Sequence, residues 1–557
     1  MKPFLRHHRL HLTPLSPIHI GSGEDFEPTN YIIEDRVLYS FDPSQAMLTE
    51  AQRARLQADA NRASLLGLQS FFRDNSALFK PHARVLIPVS TGVASHYEKN
   101  IGRAVNTESQ GNQVFNRFMI ERTQYSGPQA WPYIPGSSFK GCLRTGLLDE
   151  LNQRQPVTRP DELQNGRALI NKVEQRLLNG DFSTSPLRLL KPGDFMPCYE
   201  PARRIMYAVN RKKERILKNG IEIQAKGLTA RKESILHGQY RLFGADLVLT
   251  SVAPHQHEKP TRALEQLATL APVVQASNRY HLERFHNELA LLAKRGFVDP
   301  VWQRSVEQLF SGALGSKLQA GQAMLVRLGR YGGAESKTLS GRGVAKIKIN
   351  QGTGKPPIYS DSTKTVWLAA EQEQDQTNML PFGWAIVEID PQNELEELKT
   401  WCQQQSRARP DMQQLRASFE AEKEQAARRK AEQQAEADAR AAAALAEKLA
   451  EEQRQQALQA LPPRLQAVEK LRQQCEQWQQ KMASSNFRKQ SADPNRAGLY
   501  QDATRLVKAA LETPDWSAEE KLALANMLEQ HLSQVVGPWD AKEQRKKLRL
   551  AQLRGQT

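Results

Sequence analysis

The pattern of hydrophobic and polar positions divides the chain into a mixed first part and a helical last part. Up to about residue 398, short apolar runs that fit strands alternate with stretches of helical spacing, which predicts an α+β core. The predicted strands cover residues 8–20, 31–39, 85–89, 239–251, 323–328, 344–349, 364–369 and 384–389. The predicted helices cover residues 42–57, 280–293 and 300–310, and another begins near Ser137.

Two polar stretches interrupt this pattern. Residues 101–116 are polar and show little periodicity, so they are predicted to form a loop or a thumb-like insertion. Residues 203–215 concentrate arginine and lysine and are interpreted as a basic, turn-rich region.

The last part of the chain is predicted to be helical throughout. Residues 415–461 are rich in Ala, Glu, Gln, Lys and Arg and lack Gly and Pro, which favours one long helix. Its apolar stripe is thin, so a solvated spacer is favoured over a coiled coil. Pro462 and Pro463 end it, and a small helical bundle follows, with a capping-box pattern at Ser517 and Glu520. The predicted domains are residues 1–400, 401–462 and 463–557.

The charge of the chain points to an anionic partner. Its 557 residues carry a net charge of +16, and nucleic acid is the usual partner of such a protein. From Trp401 onward there are 26 basic and 21 acidic residues, so most of the excess, about +11, lies in the α+β part. The basic character is therefore a property of the folded core.

Cysteine spacing and the terminal sequence suggest a cytoplasmic protein without a bound metal. The four cysteines are far apart and show no zinc-ligand spacing, and free thiols fit a reducing compartment. Neither a signal peptide nor a membrane-spanning segment is predicted, since no sufficiently long apolar run occurs. No cofactor is expected.

Three glycine-bearing segments are the candidates for binding chemistry. Residues 17–23 run from a strand into a turn of small residues, where another backbone can approach closely. Residues 134–148 form a turn that opens a helix. Its start offers free N–H groups, the hydroxyls of Ser137 and Ser138, and the cations Lys140 and Arg144, which together suit a phosphate backbone. Either serine is expected to cap the helix.

The third segment, residues 328–338, is a strand followed by a glycine-rich loop. It combines exposed N–H groups with Arg330, Lys337 and the stackable ring of Tyr331, a mixture that suits RNA. It lacks the ending of a nucleotide-binding P-loop, so nucleotide hydrolysis is not supported. Each segment alone also fits a structural interpretation, namely a capped helix with a solvated basic face or a simple hairpin connection.

Taken together and in this order, the segments resemble a known pattern. The chain is similar to RAMP-superfamily subunits of type III CRISPR effector complexes, most of all to the terminal backbone subunit of the Csm-type (III-A) assembly. Residues 17–29, 41–43, 134–148, 328–338, 364–368 and 381–384 carry the resemblance, which covers roughly the first 390 residues.

The resemblance implies a ferredoxin-like, RRM-derived core with insertions and CRISPR RNA as its ligand. It also implies a structural position near the 3′ end of that RNA, next to related backbone subunits and with target RNA nearby. The implied RNA-binding residues are Gly21, Ser22, Gly23, Ser137, Ser138, Lys140, Arg144, Arg330, Tyr331 and Lys337. No catalytic residue is implied.

Two alternatives remain open at this stage. The first is a metal-independent endoribonuclease that processes CRISPR RNA, with His19 as general base. Asp25, Asp194 and Asp246 fit ordinary turn or surface roles better than metal-assisted cleavage, and the pair His255 and His257 lacks a third ligand. The second concerns the helical extension, which is interpreted as a docking or dimerising module or as a fused small helical-bundle subunit.

Overall fold

The computed structural model describes most of the chain. The described residues are 4–107, 113–153, 155, 157–164, 167–179, 185–223, 225, 229–250, 262–340, 347–349, 354, 356–407, 409–484 and 487–556. The chain divides into two compact units, Met1–Lys423 and Glu424–Thr557, and the boundary falls within one helix, Met412–Ala460. The mixed α/β composition of the first unit agrees with the predicted class.

A six-stranded antiparallel sheet, called here the first sheet, is built from strands far apart in sequence. The N-terminal strand Leu5–Pro14 lies at its centre, between Phe243–Thr250 and Trp384–Ile389. The outer strands are Leu190–Pro192, Met196–Pro197 and Ala323–Arg327. The predicted strand at residues 384–389 is confirmed with the same bounds.

The second sheet also has six strands and corrects the interpretation of the basic region. Arg203–Lys212 is a central strand of this sheet, not a turn-rich segment. Only one of its strand pairs, Ile120–Thr123 with Ala230–Ile235, is parallel. The other members are Gly21–Phe26, Thr365–Ala370 and Leu380–Pro381.

Smaller sheets and ladders complete the strands. The predicted strand at 31–39 is instead a hairpin, Tyr31–Glu34 with Val37–Phe41, because Asp35 and Arg36 adopt positive φ at its tip. Ala83–Pro88 adds a third strand. The short ladders are Ala104–Thr107 with Gln113–Phe115, Tyr125–Ser126 with Trp131–Pro132, Leu163–Gln164 with Arg167–Ala168, Leu217–Lys218 with Ile221–Glu222, Ile347–Ile349 with Ile358–Ser360, and Gln490–Ser491 with Val536–Gly537. The first of these replaces part of the loop predicted at 101–116.

Most helices of the first unit pack beside these sheets. The helix predicted at 42–57 begins only at Glu50, because Thr49 caps it through a capping box. The helices of this unit are Glu50–Asn61, Leu65–Asp74, Ser76–Phe79, Thr91–Asn100, Gly136–Asn152, Ile170–Leu178, Arg262–Gln266, Leu270–Arg295, Pro300–Ser311, Ala313–Gln319 and Glu396–Ser406, followed by the start of Met412–Ala460.

Each face of the first sheet is buried in its own apolar cluster. On one face Leu10, Leu247 and Val326 pack with residues of helices Gly136–Asn152 and Leu270–Arg295. On the other face Leu325 and Ile386 share a cluster with the second sheet. Burial on both faces explains why strands Ala323–Arg327 and Trp384–Ile389 are nearly continuous apolar runs.

The second unit is a helical bundle preceded by the rest of the long helix. Its helices are Pro463–Ser484, Leu499–Glu512, Ala518–Met527, Ser533–Val535, Ala541–Lys547 and Leu550–Leu553, with a π-helical turn at Leu528–Leu532. They enclose a separate apolar core. The predicted capping box of Ser517 and Glu520 is confirmed by both of its hydrogen bonds.

Candidate nucleic-acid interface

Two of the three glycine-bearing segments meet in the structure. Residues 17–23 and 328–338 are linked by backbone hydrogen bonds, and we call their contact region, with Gly383, the glycine joint. The amide of Arg330 donates to the carbonyl of His19 at 2.9 Å, and the amide of Gly383 donates to that of Pro17 at 2.8 Å. The amide of Leu328 in turn donates to Gly383 at 2.8 Å. Sequence order alone does not reveal this pairing.

The joint requires glycine at two positions. Gly329 has φ +81°, and a β-carbon there would lie 2.3 Å from the carbonyl oxygen of His19. Gly383 has φ +91°, and its β-carbon would lie 2.3 Å from the carbonyl oxygen of Leu328. A side chain would therefore meet both an unfavourable backbone conformation and a backbone clash.

The small residues of the first segment lie under and beside Arg330. A β-carbon on Gly21 would be 3.1 Å from the guanidinium carbon of Arg330, so the cation lies directly over this glycine. Ser22 donates to the carbonyl of Arg122 at 3.3 Å. Gly23 is exposed, with φ +87° and open space around its α-carbon. Gly21–Gly23 begin strand Gly21–Phe26 and do not form the predicted turn. A cation and the small-residue start of this strand therefore lie on the same surface.

Glu121, which the sequence analysis did not select, organises the charges beneath Arg330. Its carboxylate is 3.1 Å from the Arg330 guanidinium and also contacts the ammonium of the buried Lys232. Nε2 of His19 is 3.6 Å away. The nearby His19 and Lys232 side chains lower the pKa of Glu121 to about 2, although burial acts in the opposite direction. Glu121 is therefore a carboxylate at any physiological pH.

The position of His19 does not support the nuclease alternative. The residue is fully buried, and its Nδ1 is 2.7 Å from the carbonyl oxygen of Glu233. A general base must reach the proton that it removes. In this arrangement His19 joins two sheet segments and has no surface on which to contact a substrate.

Tyr331 and Lys337 occupy different environments. The Tyr331 ring is partly buried, with centroids 5.2 Å from Trp367 and 5.3 Å from Phe382, so the protein itself covers much of it. Lys337 is exposed at the end of the turn Ala334–Lys337. The hydroxyl of Tyr280 donates to the carbonyl of Thr338 at 2.7 Å and so holds the loop in place.

The remaining glycine-bearing segment, residues 134–148, forms the predicted helix, but its start is capped differently. Gly136–Asn152 has Pro135 before it and no serine cap, which corrects the expectation for Ser137 and Ser138. Instead Asp194 accepts the amide of Gly136 at 2.7 Å. This carboxylate satisfies an N–H group that the sequence analysis had offered to a phosphate. Ser137 is exposed and Ser138 is partly exposed.

The two cations of this helix also differ. Arg144 forms a two-pronged ion pair with Glu174, in which its Nε donates at 2.7 Å. Lys140 forms no ion pair with any residue in the described ranges. Partial burial and the neighbouring Lys191 lower its pKa. Lys140 is thus a cation beside a second cation, whereas the charge of Arg144 is already neutralised.

Behind the helix, a thiol and an imidazole meet in the core. Sγ of Cys142 lies 2.9 Å from Nε2 of His281, and both side chains are buried. Burial raises the pKa of Cys142 to about 12 and lowers that of His281 to about 3. Both groups are neutral at pH 7, so this contact is a packing feature.

Backbone hydrogen bonds connect the segment before helix Gly136–Asn152 to the glycine joint. The amide of Tyr133, which precedes the turn, donates to the carbonyl of Gln124 at 3.2 Å, and the amide of Gln124 donates to the carbonyl of Ile20.

Among the aspartates, Asp194 caps the helix and Asp246 pairs with Arg9 at 3.0 Å, while Asp25 lies in strand Gly21–Phe26.

The remaining candidates concern metals and membranes. His255 and His257 lie outside the described residues. Within the described part of the chain, no group of three His, Cys, Asp or Glu side chains is placed to hold a metal ion. No helix among the described residues combines the length and apolar character needed to span a bilayer.

Sequence comparison finds a family match in the strand-rich region. Residues 11–243 match the model of the RAMP superfamily. A stretch of 156 residues, 27% of the chain, is 31% identical to the CRISPR system Cms protein Csm5 of Streptococcus thermophilus. The chain spans 40% of the length of that relative. The resemblance to a Csm-type RAMP subunit is thus confirmed.

Two solved structures are similar to this chain at low identity. One is a chain of a Csm–crRNA–target RNA ternary complex of a type III-A CRISPR-Cas system, with 15% identity and a TM-score of 0.41. The match covers all of that chain and 69% of this chain. The other is Csm5 of T. onnurineus, with 12% identity and a TM-score of 0.37. The match covers 89% of that protein and 58% of this chain.

Proposed function

We propose that the chain is a structural, CRISPR RNA-binding subunit of a type III RNA-guided complex in the cytoplasm. It caps the filament of backbone subunits near the 3′ end of the guide RNA. Its partners are the guide RNA and neighbouring RAMP subunits, with target RNA close by. The family match and the Csm5 relative support membership in such a complex, and the position near the 3′ end of the guide RNA follows from the resemblance of the sequence motifs.

The observation that carries this proposal is Arg330 at the glycine joint. Its side chain is 56% exposed and lies over Gly21, in the strand that also holds the exposed Gly23. Small residues let a phosphodiester approach the backbone, and the guanidinium supplies a charge and several donors. Lys337 is exposed on the same loop. These features suit a site that fixes a strand through its phosphates.

We also propose a ferredoxin-like, RRM-derived origin for the core. Four long antiparallel strands of the first sheet, with helices Gly136–Asn152 and Leu270–Arg295 on one face, support this assignment. All ten candidate residues remain predictions. Gly23, Ser137, Arg330 and Lys337 are exposed, and Gly21, Ser22, Ser138 and Lys140 are partly exposed. Arg144 and Tyr331 would first have to be released from Glu174 and from the Trp367 and Phe382 contacts.

The proposed role is binding without cleavage. The only general base that the sequence analysis named, His19, is enclosed between sheet segments, and Asp194 and Asp246 are engaged by a helix start and by Arg9. Purified chain should therefore leave repeat RNA intact, with or without divalent metal. Cleavage that disappears in His19→Ala would restore the nuclease alternative.

Purification from a cell with an active type III locus tests the proposal. The tagged chain should recover guide RNAs and RAMP subunits, and the Lys140→Ala/Arg330→Ala variant should recover less RNA at the same protein yield. Binding of guide RNA by the purified variant should also show a shallower salt dependence. Arg304→Ala is the matched control, because Arg304 is an exposed arginine on helix Pro300–Ser311.

Two results would contradict the proposal. One is the absence of small RNA from the purified wild-type chain. The other is an RNA affinity of the double variant that equals that of Arg304→Ala at every salt concentration. The second result would reject the assigned residues even if RNA is recovered.

A further inference from the structure

An exposed aromatic pair lies on the helical bundle, outside every residue assigned above. The Phe487 side chain is 51% exposed. Its ring meets the partly buried ring of Trp478 edge-on, with centroids 5.4 Å apart and an interplanar angle of 85°. The indole N–H of Trp478 donates to the carbonyl of Arg488 at 3.3 Å. The pair is therefore anchored on one side and open on the other.

Cations flank this pair. Arg488 and Lys489 follow Phe487 directly, and both are exposed. Arg488 forms no ion pair with any residue that the structure describes. The Lys489 ammonium donates to the carbonyl of Ser533 at 3.1 Å, which fixes its side chain while leaving its charge unneutralised. We call Trp478, Phe487, Arg488 and Lys489 the aromatic–basic patch.

The acidic residue nearest to Trp478 in the sequence is already paired. Glu476, two residues before Trp478, is bound by Arg472 and lies 3.9 Å from His531. The exposed neighbours of Trp478 on the same helix include the uncharged Gln474 and Gln477. The local charge is therefore positive around an uncovered π-face.

From this arrangement we infer that the aromatic–basic patch binds single-stranded RNA, one base stacking on Phe487 and the adjoining phosphates facing Arg488 and Lys489. Stacking on an aromatic side chain tolerates any base, and cations beside it follow the backbone. Duplex RNA is excluded as the ligand, because its bases are not available for stacking. This site is separate from the glycine joint and does not depend on it.

Ultraviolet cross-linking of the full-length chain to short oligouridine tests the inference. After trypsin digestion, uridine adducts are expected on the peptide of residues 482–488, which contains Phe487, or on that of residues 473–481, which contains Trp478. Phe487→Leu keeps an apolar side chain but removes the π-face, and should abolish the first adduct. Phe487→Tyr should retain it.

Affinity for the same oligouridine gives a second readout. In a Lys140→Ala/Arg330→Ala background, Phe487→Leu should raise Kd by about five-fold or more, as expected for the loss of a stacked base. Arg488→Gln should reduce the salt dependence of binding. Lys521→Ala is the matched control, because Lys521 lies on helix Ala518–Met527 of the same bundle.

Three outcomes would overturn the inference. Adducts found only on peptides of residues 4–423 would reject this site and leave the proposed function in place. An unchanged Kd for Phe487→Leu would show that no base stacks there. Cross-linking of the patch to a protein, with no RNA adduct, would identify it as a protein-docking surface. Conversely, adducts at residues 482–488 without any in residues 4–423 would support the patch and count against the proposed function.

Discussion

The glycine joint and the start of helix Gly136–Asn152 have similar sequences but differ in what they leave exposed. Both combine glycine, serine and cations in a turn. At the joint, Arg330 is more than half exposed above Gly21. At the helix start, Asp194 occupies the Gly136 amide and Glu174 neutralises Arg144.

The carboxylates explain this difference. Asp194 and Glu174 lie in segments that the fold brings to the helix. Glu121 likewise comes from another strand to the joint, but there it also contacts Lys232 and His19, so its charge is shared. Whether a cation can bind RNA thus depends on which distant carboxylates the fold places beside it.

The largest expected effect on stability comes from adding a side chain at the glycine joint. Gly329→Ala should lower the free energy of unfolding by about 3 kcal/mol, since positive φ and a contact with the His19 carbonyl act together. Gly141→Ala is the control: it is an exposed helical glycine with open space around it, and should be neutral or stabilise by up to about 1 kcal/mol. Urea denaturation measures both. Equal stability of Gly329→Ala and wild type would contradict this geometry.

The two regions should respond to acid in different pH windows. His281, behind the helix, has a folded pKa of about 3 against 6.5 when unfolded, so its neutral burial favours folding above pH 6.5. As pH falls, His281 is protonated first in the unfolded state. The free energy of unfolding should therefore fall by about 2 kcal/mol between pH 7 and pH 5. Glu121 at the joint, with a folded pKa of about 2, loses its contribution only below about pH 4.5.

Unfolding of the wild type and of His281→Gln at pH 7 and pH 5 tests this difference. The variant should lose less stability than the wild type between the two values, because the titrating group is gone. Glu121→Gln should lose as much as the wild type over the same interval. The same loss in His281→Gln and wild type would rule out a buried neutral imidazole.

Removing the helix cap should have a moderate effect. Asp194→Ala leaves the Gly136 amide without its partner and should cost about 1 kcal/mol, whereas Asp194→Asn should retain part of the bond. Thermal unfolding compares them. If both variants are as stable as the wild type, water or a serine replaces Asp194, and the helix start is more open than the structure indicates.

The smallest expected change in free energy is in RNA binding. It tests directly whether the exposed Arg330 contributes more to RNA affinity than the ion-paired Arg144. Arg330→Ala should weaken binding of guide RNA by less than about ten-fold and lower the salt slope by about one. Arg144→Ala should change affinity less, because its charge is paired with Glu174. Filter binding at several salt concentrations measures both. A larger loss in Arg144→Ala would mean that the Glu174 pair opens when RNA binds.

Several elements could be predicted closely from local patterns. The long helix was predicted at 415–461 and runs over Met412–Ala460, because its composition favours helix whatever surrounds it. Strand Arg203–Lys212 was missed, since its basic ends suggested a surface. In the structure Arg203 is buried and donates to Glu233 at 2.7 Å, and a pairing of this kind cannot be seen in a linear pattern.

Residue type and short-range spacing are enough to predict the long helix, strand Trp384–Ile389 and the basic character of the α+β part. The packed chain is needed to show that residues 17–23 meet residues 328–338, and that Arg330 is exposed while Arg144 is paired. These outcomes depend on contacts between segments tens to hundreds of residues apart, such as those of Glu121 and Glu174. Hydrogen bonding and burial at such contacts are properties of the packed chain, and no local pattern encodes them.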